Sequence, residues 1–162
     1  MMKRFNLANL TLIALTASCL IQVGAQLFAI SVVASTVAEA PPRSFAILEG
    51  EYRYDSGAFW DIVPNITTVL FVLALIANWK NPRRKPILVA LTLFIIGGFA
   101  AVFFLEPLFA DMIARGYSDQ IDPVLLKQAQ KWYLIDCMVW VLGLVSGLVL
   151  LSALARTAPH EK

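Results

Sequence analysis

The 162-residue chain is 59% hydrophobic and only 15% charged. Soluble domains are nearer half apolar and a quarter charged, so this composition argues against a soluble protein and predicts one membrane domain, covering residues 1–162. The net charge of +2 gives no indication of nucleic-acid binding.

Four apolar segments are long enough to cross about 30 Å of hydrocarbon as helices. These predicted spans cover approximately residues 7–37, 58–79, 87–108 and 132–154. The first resembles a secretion signal up to Cys19, but its apolar run continues to Val37, so we expect a retained span. Four spans with short connections predict an all-α, up-and-down four-helix bundle.

Basic residues predict the orientation of the spans, because Lys and Arg are retained on the cytoplasmic side. Eight of the thirteen lie in the N-terminal segment, the link between spans two and three, and the C-terminal tail: Lys3, Arg4, Lys80, Arg83, Arg84, Lys85, Arg156 and Lys162. Of eleven acidic residues, only Glu161 lies on that side. We therefore expect a bacterial inner-membrane protein with both termini in the cytoplasm and an acidic outer face.

The two outer connections contain signals for short helical segments. Residues 41–60 mix aromatic and charged side chains, which predicts a short interfacial helix followed by a turn. Asp122 before Pro123 is typical of a helix start, with an N-cap and a proline at the first helical position. We expect this fourth helix to enter the membrane near the aromatic pair Trp132 and Tyr133.

Asp136 is the acidic residue that lies within the apolar stretch WYLIDCMVW. A charge near the bilayer centre costs several kcal/mol unless it is paired, protonated or exposed to water. Asp136 shares a helix face with Trp140, Gly143 and Gly147, and the two glycines form a G-x-x-x-G pair that allows close helix packing. Asp136 is thus predicted to face protein. The glycine pair serves the bundle itself or, alternatively, a partner helix or a homodimer.

The other three spans contain similar polar stripes. These are Ser18, Gln22 and Gln26; Asp61, Asn65 and Thr68; and Glu106, which aligns with Val102 and Gly98. Burying the stripes together predicts a cavity in the outer half of the bundle. The expected lining is Gln22, Gln26, Asp61, Asn65, Glu106 and Asp136, with Trp60, Trp132, Tyr133 and Trp140 as an aromatic rim and wall. Because burial and like charge both raise a carboxyl pKa, we expect at least one of its carboxylates to be protonated or bound to Arg43, Arg53 or Arg115 from the loops.

Purely structural interpretations compete with this one. Asp61 lies in the first turn of its helix, where the macrodipole favours an anion. Glu106 is alternatively a solvated residue, and the two glutamines are alternatively hydrogen-bonding partners between helices. Cys19 and Cys137 are isolated and the single histidine, His160, is in the tail, so neither a metal site nor a cofactor is predicted.

Several short motifs recur in a familiar order along about residues 10–155. They are Pro42-Arg43-Ser44, Gly50-Glu51-Tyr52, Phe59-Trp60, Asn78-Trp79 before Arg83-Arg84, and Lys131-Trp132. In this layout the chain resembles the anthrone-oxygenase-like family of small four-span membrane proteins. For some members, the resemblance implies cofactor-independent oxidation of a polycyclic phenolic substrate to a quinone. It implies that Asp136, Glu106 and Asp61 are the available bases, while Gln22, Gln26 and Asn65 hold substrate oxygens.

Three functions remain open from the sequence. A protein that binds or oxidises an apolar, oxygen-bearing ligand, such as a membrane lipid or a quinone-like aromatic molecule, predicts a pocket with a carboxylate facing an aromatic wall. An accessory or partner-binding subunit predicts that the polar stripes pair with one another and leave no cavity. A proton-linked carrier predicts a polar route to both faces, which the apolar inner halves of spans three and four disfavour.

Overall fold

The structure of the chain is a computed structural model that describes residues 7–156. These residues form four helices that are long and apolar enough to cross a membrane: α1 Leu7–Glu39, α2 Gly57–Ala77, α3 Arg84–Ile113 and α4 Pro123–Ala155. No strand occurs within the described range. The predicted all-α four-helix bundle is confirmed, and the chain is a multi-pass membrane protein. Predictions on Lys3, Arg4, His160, Glu161 and Lys162 fall outside the described residues.

Three of the four helices contain a local irregularity. In α1, a π-helical segment at Ala29–Ala34 separates the α-helical stretches Leu7–Phe28 and Ser35–Glu39. In α3, a π-helical segment at Ala101–Leu105 separates Arg84–Ala100 from Glu106–Ile113. Helix α2 contains Pro64, which removes one backbone hydrogen bond. Such interruptions release carbonyl groups that need other partners or a cavity when the helix lies in a membrane.

The start of α4 agrees with its sequence signal. The Asp122 side chain accepts hydrogen bonds from the backbone N–H groups of Val124 at 2.7 Å and Leu125 at 3.4 Å, and Pro123 occupies the first helical position. The helix therefore begins nine residues before Trp132, as the predicted N-cap requires.

The connections between α1 and α2 and between α3 and α4, which lie at the same end of the bundle, are short and partly helical. The predicted interfacial helix is a 3₁₀ helix at Arg43–Leu48, anchored by the buried side chain of Phe45. The Asp122 N–H donates to the carbonyl of Pro41 at 3.1 Å and thereby joins the two connections. In the second connection, the Tyr117 hydroxyl donates to Asp119 Oδ1 at 2.6 Å, and this hydrogen bond raises the pKa of Tyr117.

Two separate hydrophobic clusters hold the bundle together. We call the end formed by the start of α1, residues 78–83 and the end of α4 the basic end, and the opposite end the acidic end. The cluster towards the basic end draws on all four helices: Leu12, Leu15, Cys19, Phe71, Ala74, Ile87, Ala90, Leu150 and Ala153. The cluster at the acidic end comprises Val37, Phe45, Met112, Leu125 and Ala129, with none of its buried members from α2. Helices α2 and α3 also pack against each other least of all neighbouring pairs.

Arg83 closes the basic end. Its side chain is buried, and its Nε and Nη2 atoms donate to the carbonyl of Arg156 at 3.0 and 2.6 Å. Its Nη1 atom donates to Oδ1 of Asn9. Asn78 adds a hydrogen bond from Nδ2 to the carbonyl of Ala8 at 3.1 Å. The link between α2 and α3 is therefore fastened to the start of α1 and the end of α4.

Candidate functional site

An elongated cavity of about 650 Å³ lies between the two hydrophobic clusters. All four helices and the loop before α2 contribute to its wall. Along α4 the lining runs from Trp132 to Ser146, which corresponds to about 21 Å at 1.5 Å per helical residue. Both π-helical segments and Pro64 also line the cavity, so the backbone irregularities of three helices coincide with it. The volume is in the range typical of small-molecule sites.

Aromatic side chains form the acidic end of the cavity. The rings of Trp132 and Phe109 are stacked, with centroids 5.2 Å apart and planes 24° apart. Trp60 approaches from α2 and is held edge-on by Phe59, at a centroid distance of 4.9 Å. Tyr54 contributes from the loop before α2. This end can therefore accommodate a flat or aromatic group.

One hydrogen-bonded polar pair faces this aromatic end. Gln26 Nε2 in α1 donates to Asp136 Oδ1 in α4 at 3.0 Å, and both side chains line the cavity. Asp136 follows Trp132 by about one helical turn of α4, in the direction of the basic end. Within residues 7–156, neither Asp136 Oδ2 nor Gln26 Oε1 takes part in a hydrogen bond. The pair therefore presents two free acceptor oxygens.

A second polar group, formed by Ser18, Gln22 and Thr67, takes part in helix packing. Gln22 Nε2 donates to Thr67 Oγ1 at 2.5 Å, and Ser18 Oγ lies 2.6 Å from the same oxygen. The Thr67 hydroxyl in turn donates to the carbonyl of Val63 at 2.9 Å. These contacts join α1 to α2, as expected for hydrogen bonds between membrane helices.

The structure brings six of the ten predicted site residues to the cavity. These are Gln22, Gln26, Trp60, Glu106, Trp132 and Asp136. The α3 stripe of Gly98, Val102 and Glu106 also lies along the wall. Residues from the α1, α3 and α4 stripes therefore border the same cavity.

Asp61 and Asn65 lie elsewhere, and this differs from the expected lining. Both are exposed, because the inward face of α2 consists of residues 57, 60, 64, 67, 71, 74 and 78, one position away from the predicted stripe. Asn65 donates to the carbonyl of Asp61 at 2.6 Å, and Thr68 to that of Pro64 at 2.9 Å. Short polar side chains on the outer surface thus satisfy themselves on their own helix.

Tyr133 and Trp140 also lie outside the cavity lining. Trp140 Nε1 donates to the carbonyl of Val23 at 3.2 Å and so ties α4 to α1. The glycines on this face also pack against α1. A Cβ at Gly143 would lie 3.6 Å from Val23 Cγ2, and one at Gly147 only 3.0 Å from Leu20 Cδ2. The close approach that G-x-x-x-G permits is used within the chain.

Loop arginines pair with loop acids. Arg53 Nη2 is 4.0 Å from Asp55 Oδ2, and Arg115 Nη1 is 3.8 Å from Asp122 Oδ2. Neither of these ion pairs involves Asp61, Glu106 or Asp136. Within the described residues, Asp136 has Gln26 as its side-chain hydrogen-bond partner.

Several lining residues were not anticipated from the sequence. They include Pro64, Phe94, Gly97, Phe109 and Ser146. A proline and a Gly-Gly pair inside long apolar runs are signals that could have indicated Pro64 and Gly97. Ser146 donates to the carbonyl of Ala90 at 3.0 Å, so it belongs to the α3–α4 contact as much as to the cavity. In residues 7–156 no group of three or more His, Cys, Asp or Glu side chains is placed to hold a metal ion.

Comparison with known proteins gives no relative: no family model, no curated protein and no solved structure matches the chain. The resemblance to the anthrone-oxygenase-like family therefore stays a prediction. Function has to be inferred from the cavity itself.

Proposed function

We propose that this protein binds an apolar, oxygen-bearing ligand in the cavity between its four helices. The observation that carries the proposal is the Gln26–Asp136 pair, which leaves two acceptor oxygens free beside the stacked Trp132 and Phe109 rings. Polar groups that are partly withdrawn from water normally have hydrogen-bond partners. Free acceptors in an otherwise apolar and aromatic wall therefore favour a ligand that supplies the missing hydrogen bonds.

The two alternative functions receive less support. An accessory subunit would pair all of its polar stripes, and only the Ser18–Gln22–Thr67 group follows that pattern. A homodimer through Gly143 and Gly147 would compete with their contacts to α1. A proton-linked carrier would need a polar route from Ser146 to the basic end. In the part of the chain that the structure describes, this region contains the hydrophobic cluster of the basic end.

The enzymatic version of the proposal assigns Asp136 as the base. A polycyclic phenolic substrate of the anthrone type would lie against Trp132 and Phe109 and lose a proton to the carboxylate. The resulting carbanion would reduce O₂ and combine with it, so that a CH₂ group becomes C=O while one O₂ is consumed and one water is released. Glu106, exposed at the wall, is the second acid available for proton transfer.

The proposed location is a bacterial inner membrane, with both termini in the cytoplasm and the acidic end outside. The supporting observation is the concentration of Lys and Arg at the basic end. The aromatic end of the cavity would then lie in the outer half of the bilayer. If the C-terminus is cytoplasmic, green fluorescent protein fused after Lys162 should fluoresce. A fusion that inserts into the membrane but does not fluoresce would indicate the opposite orientation.

Native mass spectrometry of the purified protein tests ligand binding. We expect wild-type protein to carry a co-purified molecule that Val139→Phe, which fills the cavity, releases. Met138→Phe is the matched control, because Met138 is the adjacent residue but is exposed on the outer surface. A wild-type sample without any bound molecule, or equal occupancy in both variants, would contradict the proposal.

Oxygen uptake with anthrone as the probe tests the enzymatic version separately. We expect uptake by the wild-type protein above the spontaneous rate and none above it for Asp136→Asn, which keeps the shape but not the basicity of the side chain. Equal oxygen uptake by both proteins would contradict the role of Asp136 as the base. It would not contradict the proposal that the cavity binds a ligand.

A further inference from the structure

We propose that the cavity takes long-chain molecules with a hydroxyl head directly from the bilayer, through a side opening between α2 and α3, and holds the hydroxyl at the Gln26–Asp136 pair. This inference rests on the proposed function and specifies the ligand class and the access route.

The hydrogen-bonding capacity of the pair selects the head group. Gln26 Nε2 uses one of its two N–H groups to donate to Asp136 Oδ1, which leaves one N–H donor and, with Asp136 ionised, two acceptor oxygens, Asp136 Oδ2 and Gln26 Oε1. A hydroxyl group can donate to one of these oxygens and accept from the remaining N–H, whereas a ketone, a quinone or an ether can only accept and leaves both oxygens unpaired. The pair is therefore matched to an alcohol, a phenol or a hydroquinone.

The shape of the cavity indicates a long apolar tail. Between Asp136 and Ser146 the lining continues for about 15 Å towards the basic end. Apart from Gln22, which is hydrogen-bonded to Thr67, most side chains there are apolar or small: Val23, Leu93, Phe94, Gly97, Val139 and Gly143. A polar head at Asp136 thus leaves room for a chain beneath it, oriented along the helix axes.

The side opening follows from how α2 is packed. Helix α2 contributes no buried residue to the cluster at the acidic end and packs least against α3. On the α3 side of the gap, Gly98, Val102 and Glu106 line the cavity and are also exposed. A Cβ at Gly98 would meet nothing within 4 Å, which indicates open space.

The position of Gly98 sets the depth of the opening. Gly98 is 14 residues from the start of α3 and 15 from its end, so it lies near the middle of a membrane-spanning helix. An opening at this depth faces hydrocarbon rather than water. Molecules that are already dissolved in the bilayer therefore have the shortest route to the cavity.

Binding of three matched probes to the protein in lipid nanodiscs tests the head-group preference. The probes are 4-decylphenol, its methyl ether and 4-decylacetophenone, which share a tail, and empty nanodiscs correct for partition into lipid. We expect the phenol to bind about tenfold more tightly than the ether, as a hydrogen bond to a charged acceptor implies. Equal affinities for phenol and ether would overturn the preference.

Asp136→Asn provides a stricter version of this test. The amide Oδ1 can still accept from Gln26, while the new Nδ2 replaces a free acceptor by a donor. We expect the acetophenone to gain affinity relative to the phenol, so that the order of the two probes changes. An unchanged order would also overturn the assignment of the head group to this pair.

Glycine substitutions test the access route. Gly98→Phe narrows the opening, and Gly24→Phe is the matched control, because Gly24 is a helical glycine with nothing within 4 Å of its Cβ position but does not line the cavity. We expect tritiated 4-decylphenol to transfer from vesicles at least fivefold more slowly to Gly98→Phe than to wild type, and Gly24→Phe to match wild type. Gly98→Leu repeats the test with a smaller side chain.

The possible failures are distinguishable. Wild-type transfer rates in both Gly98 variants would overturn access between α2 and α3 without affecting the ligand class. Absence of binding of all three probes by the wild-type protein would instead overturn the proposed function and this inference with it.

Discussion

The buried Arg83 at the basic end and the Gln26–Asp136 pair beside the cavity differ in how completely their side chains are hydrogen-bonded. At the basic end, the Arg83 guanidinium is buried and all of its nitrogens donate to Arg156 or Asn9. In the acidic half, Asp136 and Gln26 bond to each other and leave oxygens free beside a cavity. One set of polar residues closes the structure, and the other leaves hydrogen bonds for a ligand to complete.

The backbone shows the same contrast. The basic half contains regular α-helix and a hydrophobic cluster that draws on all four helices. The acidic half contains two π-helical segments and Pro64, all on the cavity wall. Irregular helix in a membrane is tolerated where it borders a cavity, and π turns are frequent at functional sites. The regular, closely packed helices at the basic end therefore hold the bundle together around the cavity towards the acidic end.

The largest effect on stability is expected from removing the hydrogen bonds of Arg83 at the basic end. Arg83→Ala should lower the free energy of unfolding by about 3 kcal/mol, because it removes the hydrogen bonds that the charged guanidinium donates and the packing of a buried side chain. The neighbouring Arg84→Ala removes only a contact with the Trp79 ring at 4.9 Å and should cost less than about 1 kcal/mol. Unfolding titrations in mixed micelles measure both. Similar losses of unfolding free energy in the two variants would show that the hydrogen bonds of Arg83 do not stabilise the basic end.

A smaller effect is expected from enlarging a glycine in each region. Gly147→Leu should destabilise by about 2 kcal/mol, because a side chain there meets Leu20 in a closed α1–α4 contact. Gly98→Leu extends into open space and should leave stability unchanged or raise it slightly through helix propensity. Melting temperatures in one detergent compare the two. A destabilised Gly98→Leu would mean that the α2–α3 gap is closed.

A third effect, of about 1 kcal/mol, distinguishes the two candidate faces of α2. Thr67→Val removes the hydroxyl that accepts from Gln22 and approaches Ser18. Thr68→Val removes only a bond to the carbonyl of its own helix and should have nearly no effect. If the Thr68 variant were the less stable one, α2 would be rotated towards the face that its sequence suggested.

This rotation of α2 illustrates what the sequence could predict. Length and hydropathy identified four helices, and the Asp122-Pro123 signal located the start of α4. Gln22, Gln26, Glu106 and Asp136 of the other stripes line the cavity, and a few polar residues at helical spacing stand out in apolar runs. In α2 both faces carried polar residues, and the choice between residues 60, 64 and 67 and residues 61, 65 and 68 depended on packing.

The missing information has a physical origin. In water, an exposed face is polar and a buried face is apolar, so periodicity identifies the core. In a bilayer, the lipid is as apolar as the core, and that contrast disappears. Asp61 also lies near the start of α2, where exposure costs less than at the bilayer centre, and Asn65 donates to the Asp61 carbonyl. The π-helical segments contain neither glycine nor proline, so no helix-breaking residue marks them in the sequence.

The smallest effect is expected at the residue most closely tied to function. Asp136→Asn should change the free energy of unfolding by less than about 0.5 kcal/mol, because the amide oxygen of the substituted side chain can still accept the hydrogen bond from Gln26 and its new N–H faces the cavity. The same titrations that detect the Arg83→Ala loss measure this change. A stability loss comparable to that of Arg83→Ala would mean that Asp136 closes the acidic half as Arg83 closes the basic end. An intact fold with altered ligand preference is expected instead if the free oxygens of the acidic half serve binding.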